Sequence, residues 1–135
     1  MPSLEEFCTI TGAMSRNVIG NGPSGMRVDF PFEGTATSKH WEGELPVRGT
    51  DYVTIRGDGN MNLDIHGVIG EGREKIGYRA TGVSVPQDRD TAHPQELILF
   101  ETQREDVAFL NSTVGIGLGR GGGGTLDITF YLVKQ

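Results

Sequence analysis

The residues of this sequence best suited to transfer a proton are His66, Asp64, Arg79 and Tyr52. Asp64 and His66 lie two positions apart in the alternating run 61–66, and residues two apart in a strand share a face. Matching apolar residues across the neighbouring hairpins places Arg79 near His66 and Tyr52 beside Asp64. We therefore expect catalytic roles: His66 as acid or base, Asp64 orienting it, Arg79 stabilising an oxyanion, and Tyr52 donating or relaying a proton.

This polar face has two interpretations. Antiparallel sheets often keep one face in solvent, and the four residues would then belong to the outer surface. If instead the sheet closes around them, they line a cavity suited to a small molecule. The pattern alone leaves both interpretations open.

Further residues could contact a substrate. Trp41 offers an aromatic wall and Glu44 a second carboxylate, although a lone Trp in a β-protein more often packs in the core. The substrate-binding candidates are Trp41, Glu44, Tyr78, Glu101, Phe109 and Asn111.

The sequence offers no convincing metal or cofactor site. Cys8 is the only cysteine, which excludes a cysteine-based zinc cage, and the three histidines form no paired ligand pattern. The glycine-rich run 115–124 resembles a phosphate loop, but a strand follows it where such a loop needs a helix. Arg56-Gly57-Asp58 has the composition of a tight turn. We expect no cofactor and no metal.

Glycine clusters separate short alternating runs, a pattern typical of β-hairpins. The predicted strands are 5–12, 25–36, 41–46, 50–56, 61–66, 75–84, 95–102, 111–117 and 126–132. Segments 3–7 and 103–110 could form a helical turn, and 85–95 has the composition of a long mobile loop. Closing the sheet removes its exposed edges, so we predict an all-β fold, a single antiparallel up-and-down (calycin/lipocalin-like) β-barrel of about eight to nine strands; a sandwich is the alternative.

Composition narrows the partners. The 135 residues carry a formal net charge of -6, which gives no electrostatic reason to bind nucleic acid or an anionic membrane. No signal-like segment and no apolar stretch long enough to span a bilayer occurs, so we expect a cytoplasmic protein. The chain length suits one domain, residues 1–135, and we expect a homo-oligomer that binds a small hydrophobic metabolite.

Several motifs carry a family resemblance. Gly49-Thr50-Asp51-Tyr52, Gly59 with Leu63-Asp64, Phe100-Glu101-Thr102 and Phe109-Leu110-Asn111 resemble domain-of-unknown-function family 3237, the UPF0311-like proteins, over about residues 20–133. The resemblance implies a small β-barrel of calycin-like shape, with Tyr52 and Asp64 on one face. Tyr52 and Phe109 stand where the family usually has Trp.

These observations favour a cofactor-independent enzyme, a lyase, isomerase or cyclase, that acts by general acid/base proton transfer on a hydrophobic carbonyl or phenolic metabolite. The alternative is a noncatalytic carrier that binds such a metabolite inside the barrel. A third hypothesis is a structural subunit without a ligand-sized cavity.

Overall fold

A computed structural model describes all of residues 1–135. Its nine strands are β1 (Ser3–Met14), β2 (Asn17–Gly22), β3 (Gly25–Thr37), β4 (Leu45–Ile55), β5 (Met61–Ile69), β6 (Ile76–Pro86), β7 (Ala92–Thr102), β8 (Val114–Gly122) and β9 (Thr125–Lys134). One 3-10 helix, Glu105–Ser112, joins β7 to β8. No helix has the length and apolar character needed to cross a membrane.

The strands form a closed antiparallel barrel. From β3 to β9 each strand pairs with the next, and β1 pairs with both β9 and β3, so that eight strands close the sheet. The ninth strand, β2, pairs only with β3. The predicted barrel of eight to nine strands is confirmed, and closure satisfies the backbone groups that an open sheet would expose.

The predicted strand 5–12 lies within β1, and three other features of the N-terminal half differ from the expectations. Segment 3–7 is the start of β1 and not a helical turn, because pairing with β9 satisfies its backbone. Strand β2 was not predicted at all. Its residues are mostly exposed on both faces, so no apolar alternation marks it. Only the last two residues of the predicted strand 41–46 belong to β4.

Two boundaries in the C-terminal half also differ from prediction. The predicted strand 111–117 begins only at Val114, because residues 105–112 form the 3-10 helix. The predicted loop 85–95 shrinks to residues 87–91 between β6 and β7. There the side chain of Asp88 accepts hydrogen bonds from the backbone N–H groups of Asp90 and Thr91, at 2.9 Å each.

One end of the barrel is packed with side chains. Phe7 makes edge contacts with Trp41 and Phe100, and Val107 and Leu110 of the 3-10 helix are fully buried. The indole Nε1 of Trp41 donates a hydrogen bond to the carbonyl of Ala36, at 3.1 Å. Four turns ring the opposite end, at residues 15–16, 56–60, 87–91 and 123–124. The interior is therefore accessible from that end.

Candidate active site in the barrel interior

The four predicted catalytic residues lie together on the outer surface of the barrel. His66 pairs with Arg79 across β5 and β6, its Nε2 lies 3.2 Å from Oδ1 of Asp64, and its ring meets that of Tyr52 edge-on at 5.6 Å. The side chains of His66 and Asp64 are 48% and 54% exposed. The four residues are therefore neighbours, as the strand register predicted. Their side chains point to solvent and not into the barrel.

Three of the predicted substrate-binding residues, Tyr78, Glu101 and Asn111, line a second pocket together with His66 and Arg79, and the other three lie outside it. Trp41 packs at the closed end, Glu44 and Glu101 are exposed, and Phe109 is 38% exposed beside the ring of His40. Asn111 bonds the backbone of Thr102 through both its amide oxygen and its amide nitrogen. Tyr78 is buried and lines the interior. Of the six, only Tyr78 lies in the cavity described next.

The barrel contains a cavity of about 560 Å³, reached through the four turns. This volume is within the range of small-molecule sites. Apolar side chains from five strands form most of its wall: Ile10, Met14, Phe30, Phe32, Val53, Ile55, Met61, Leu63, Ile65, Leu126, Ile128 and Phe130. Four polar side chains interrupt this wall below the turns, those of Asp51, Tyr78, Ser84 and Glu96.

Asp51 lies where the ladder between β4 and β5 is interrupted. The strands pair at Asp51 with Ile65 and again at Thr54 with Asn62, but not between. In the gap, Oδ1 of Asp51 accepts a hydrogen bond from the backbone N–H of Asp64, at 3.1 Å. Burial raises the pKa of Asp51 to about 7, outweighing the opposing effect of that hydrogen bond, and the nearby Asp64 carboxylate raises it further.

Glu96 is the second carboxyl of the cavity, and it is only 6% exposed. Burial, and secondly the negative charge of Asp51, raise its pKa to about 8. Gly117 pairs with Glu96 across β7 and β8, and a Cβ on this glycine would lie 2.9 Å from Oε1 of Glu96. The absence of a side chain at position 117 thus makes room for the carboxyl group.

Tyr78 contributes a phenol to the same interior. Burial and the charges of Glu96, Cys8 and Asp51 raise the pKa of Tyr78 well above its ordinary value, so the hydroxyl stays protonated and can donate a hydrogen bond. Its ring packs edge-on against Phe130 at 5.1 Å. A Cβ on Gly67 would overlap the phenol, so a second inward glycine makes room for a polar side chain.

Asp51 and Glu96 behave as an interacting pair. Burial raises the pKa of both carboxyls, and the negative charge of Asp51 raises that of Glu96 further, so ionisation of one disfavours ionisation of the other. Such a pair can present one carboxylate and one carboxylic acid. No group of three or more His, Cys, Asp or Glu side chains is arranged to hold a metal ion.

Sequence reasoning did not select Asp51, Ser84 or Glu96. Asp51 belongs to the motif Gly49-Thr50-Asp51-Tyr52, but attention fell on its neighbour Tyr52. The available signal was positional: Asp51 shares the inward face of β4 with the apolar residues Val53 and Ile55. Charged side chains are rarely buried, so a carboxylate on the apolar face of a strand indicates a candidate functional site.

The comparisons with known proteins agree on the fold. A protein of unknown function from Clostridium acetobutylicum is 18% identical, with a TM-score of 0.87 over 99% of this chain and 98% of that one. A beta-barrel like protein from Acinetobacter baumannii is 19% identical, with a TM-score of 0.83 over 99% and 97%. An enzyme from Penicillium herquei is 15% identical, with a TM-score of 0.71 over 98% and 95%.

Sequence comparison assigns the family. Among curated proteins no sequence matches the chain. The model of the family described as "Protein of unknown function (DUF3237)" matches residues 2–133, almost the whole length. This match extends the resemblance seen in the motifs around Asp51, Asp64 and Asn111 to both ends of the barrel. The chain therefore belongs to the DUF3237 family.

Proposed function

We propose that the protein is a cofactor-independent enzyme that transfers protons on a small hydrophobic molecule held inside the barrel. The observation that carries the proposal is the pair of carboxyl groups, Asp51 and Glu96, facing one largely apolar cavity. Buried carboxyls with raised pKa values near neutrality are suited to general acid–base catalysis. The catalytic residues in this proposal are those of the interior and not those around His66.

The two carboxyls take complementary roles. The ionised carboxylate removes a proton from carbon next to a carbonyl, or from a phenolic hydroxyl. The protonated carboxyl and the phenol of Tyr78 donate hydrogen bonds to the oxygen on which negative charge develops. The proton then returns to a different atom of the substrate, so the enzyme ends the cycle unchanged.

This chemistry fits the reaction classes inferred from the sequence. A lyase, isomerase or cyclase acting on a carbonyl or phenolic compound needs one base, one acid and a site that excludes water. The apolar wall supplies the last of these. The Penicillium herquei neighbour, which is described as an enzyme, supports the idea that this fold hosts catalysis.

The experiment uses β-tetralone, an apolar bicyclic ketone whose hydrogens beside the carbonyl exchange with D2O when a base removes them. Exchange is followed by NMR with wild-type protein and with Asp51→Asn and Glu96→Gln. We expect the wild type to accelerate exchange over buffer and each variant to lose about 100-fold of that acceleration. Asp127→Asn and Glu33→Gln, at exposed positions, are the matched controls and should exchange like the wild type.

Two results would count against the proposal. If β-tetralone binds but exchanges no faster than in buffer, the barrel is a carrier, the noncatalytic alternative. If exchange is fast and survives both interior substitutions, the base lies elsewhere. Binding measured by calorimetry on the same samples separates these results.

A further inference from the structure

The charges inside the cavity differ from those at its mouth. Every polar group deep in the cavity is acidic or neutral: Asp51, Glu96, Tyr78 and Ser84. The arginines that reach the cavity, Arg16 and Arg89, lie at the mouth and are exposed. A ligand inside the barrel therefore meets no positive charge close to the carboxyl pair.

From this arrangement we infer that the cavity binds ligands that are uncharged at neutral pH and excludes carboxylates and phosphates. This inference rests on the proposed function, because it concerns the substrate of the same site. A buried anion would lie among apolar side chains and at least one ionised carboxyl, without an arginine or lysine to compensate it. Anionic metabolites such as carboxylic acids and phosphate esters are thus not substrates.

The same groups define the polar atoms that the ligand must present. Around neutral pH the cavity offers hydrogen-bond donors, a protonated carboxyl and the Tyr78 phenol, and one strong acceptor, the ionised carboxylate. The complementary ligand carries a carbonyl oxygen that accepts and a hydroxyl that donates. The substrate class is therefore neutral, mainly apolar hydroxycarbonyl compounds, and a cavity of about 560 Å³ has room for a molecule of at least two fused rings.

Two properties of the cavity also disfavour the binding of a cationic ligand. Burial raises the pKa of both carboxyls, which disfavours the doubly ionised form that would attract a cation most strongly. The remaining wall is mostly aliphatic and cannot solvate an ammonium group. An amine would lose its hydration on entering the cavity and would gain at most one carboxylate partner in return.

The test measures binding with four ligands that share the naphthalene ring: hydroxyacetonaphthone, acetonaphthone, naphthoate and naphthylmethylamine. Calorimetry at pH 7 on the full chain should show hydroxyacetonaphthone binding most tightly and acetonaphthone next. Both charged ligands should bind more weakly, with naphthoate at least about 30-fold weaker than acetonaphthone. In the double variant Asp51→Asn/Glu96→Gln, which leaves no carboxyl group in the interior of the cavity, the gap between naphthoate and acetonaphthone should narrow by about tenfold. Glu33→Gln should leave the gap unchanged.

The outcomes are distinguishable from those of the exchange experiment, which measures turnover. Binding of naphthoate or of naphthylmethylamine as tightly as acetonaphthone overturns the inference, even if β-tetralone is turned over. Neutral selectivity without any exchange supports the inference about the ligand and overturns the proposed enzyme. An equal affinity of hydroxyacetonaphthone and acetonaphthone overturns the assignment of a paired hydroxyl and carbonyl.

Discussion

The inner and outer faces of strands β4 to β7 carry similar side chains in opposite surroundings. Outside, Asp64 pairs with His66 in contact with solvent. Inside, Asp51 of β4 and Glu96 of β7 face an apolar cavity. Desolvation raises the pKa of each interior carboxyl well above its ordinary value. Acidic residues on neighbouring strands therefore differ in pKa according to whether their side chains point into the barrel or into solvent.

The largest expected effect distinguishes the two faces by activity. Asp51→Asn and Glu96→Gln should each lower kcat/KM for the exchange of β-tetralone about 100-fold, because each removes one member of the acid–base pair. His66→Ala should lower it less than about threefold, because the imidazole is outside the cavity. If His66→Ala instead lowered kcat/KM more than Asp51→Asn and Glu96→Gln, the catalytic residues would be those of the outer face.

A smaller effect is expected from the glycine that makes room for Glu96. Gly117→Ala places a Cβ 2.9 Å from Oε1 of Glu96, so the carboxyl must move away from its present position. We expect activity to fall about tenfold while the fold survives, since the far end of a flexible side chain can shift. Gly57→Ala, at a turn position with open space around it, is the matched control and should keep full activity.

A change of stability with pH should also separate the faces. Glu96 has a raised pKa of about 8 in the folded protein, so its contribution to stability is fully present below the unfolded-state value near 4.5 and is lost as pH rises through about 8. From pH 5 to pH 9 the free energy of unfolding of the wild type should therefore fall about 4 kcal/mol more than that of Glu96→Gln. Urea unfolding at the two pH values measures this.

The exposed control gives the contrary expectation. Glu33→Gln removes a carboxyl from the outer surface, and its unfolding free energy should follow that of the wild type at both pH values. If the free energies of unfolding of the wild type and of Glu96→Gln change equally between pH 5 and pH 9, Glu96 is ionised at neutral pH. The hypothesis that one carboxyl of the pair keeps its proton would then be wrong.

The sequence was most informative where alternation was clean. In β5 the apolar positions Leu63 and Ile65 alternate with Asp64 and His66, and the register to Arg79 followed from matching apolar residues across the hairpin. The pattern left the direction of the polar positions open. In the structure they face solvent, because the apolar positions Leu63 and Ile65 pack into the barrel's own interior.

Glu96 was not predicted because the sequence of β7 does not show which of its faces points into the barrel. Its inward residues include Ile98 and Phe100, but its outward residues Leu97 and Leu99 are also apolar, with 51% and 62% exposure. With apolar residues on both faces, periodicity cannot distinguish inside from outside. The opposite strand β8 has glycine at its inward positions and adds no pattern of its own. Only the three-dimensional register shows that Gly117 faces Glu96.

The carboxyl pair can be observed directly by carbon NMR. Titration of the side-chain carboxyl carbons should show two groups, Asp51 and Glu96, changing between about pH 6 and 9, well above the ordinary range of carboxyl groups. Asp51→Asn should lower the pKa of Glu96, because it removes the neighbouring negative charge. Titration of every carboxyl in the wild type below about pH 5 would contradict a shared proton in the cavity.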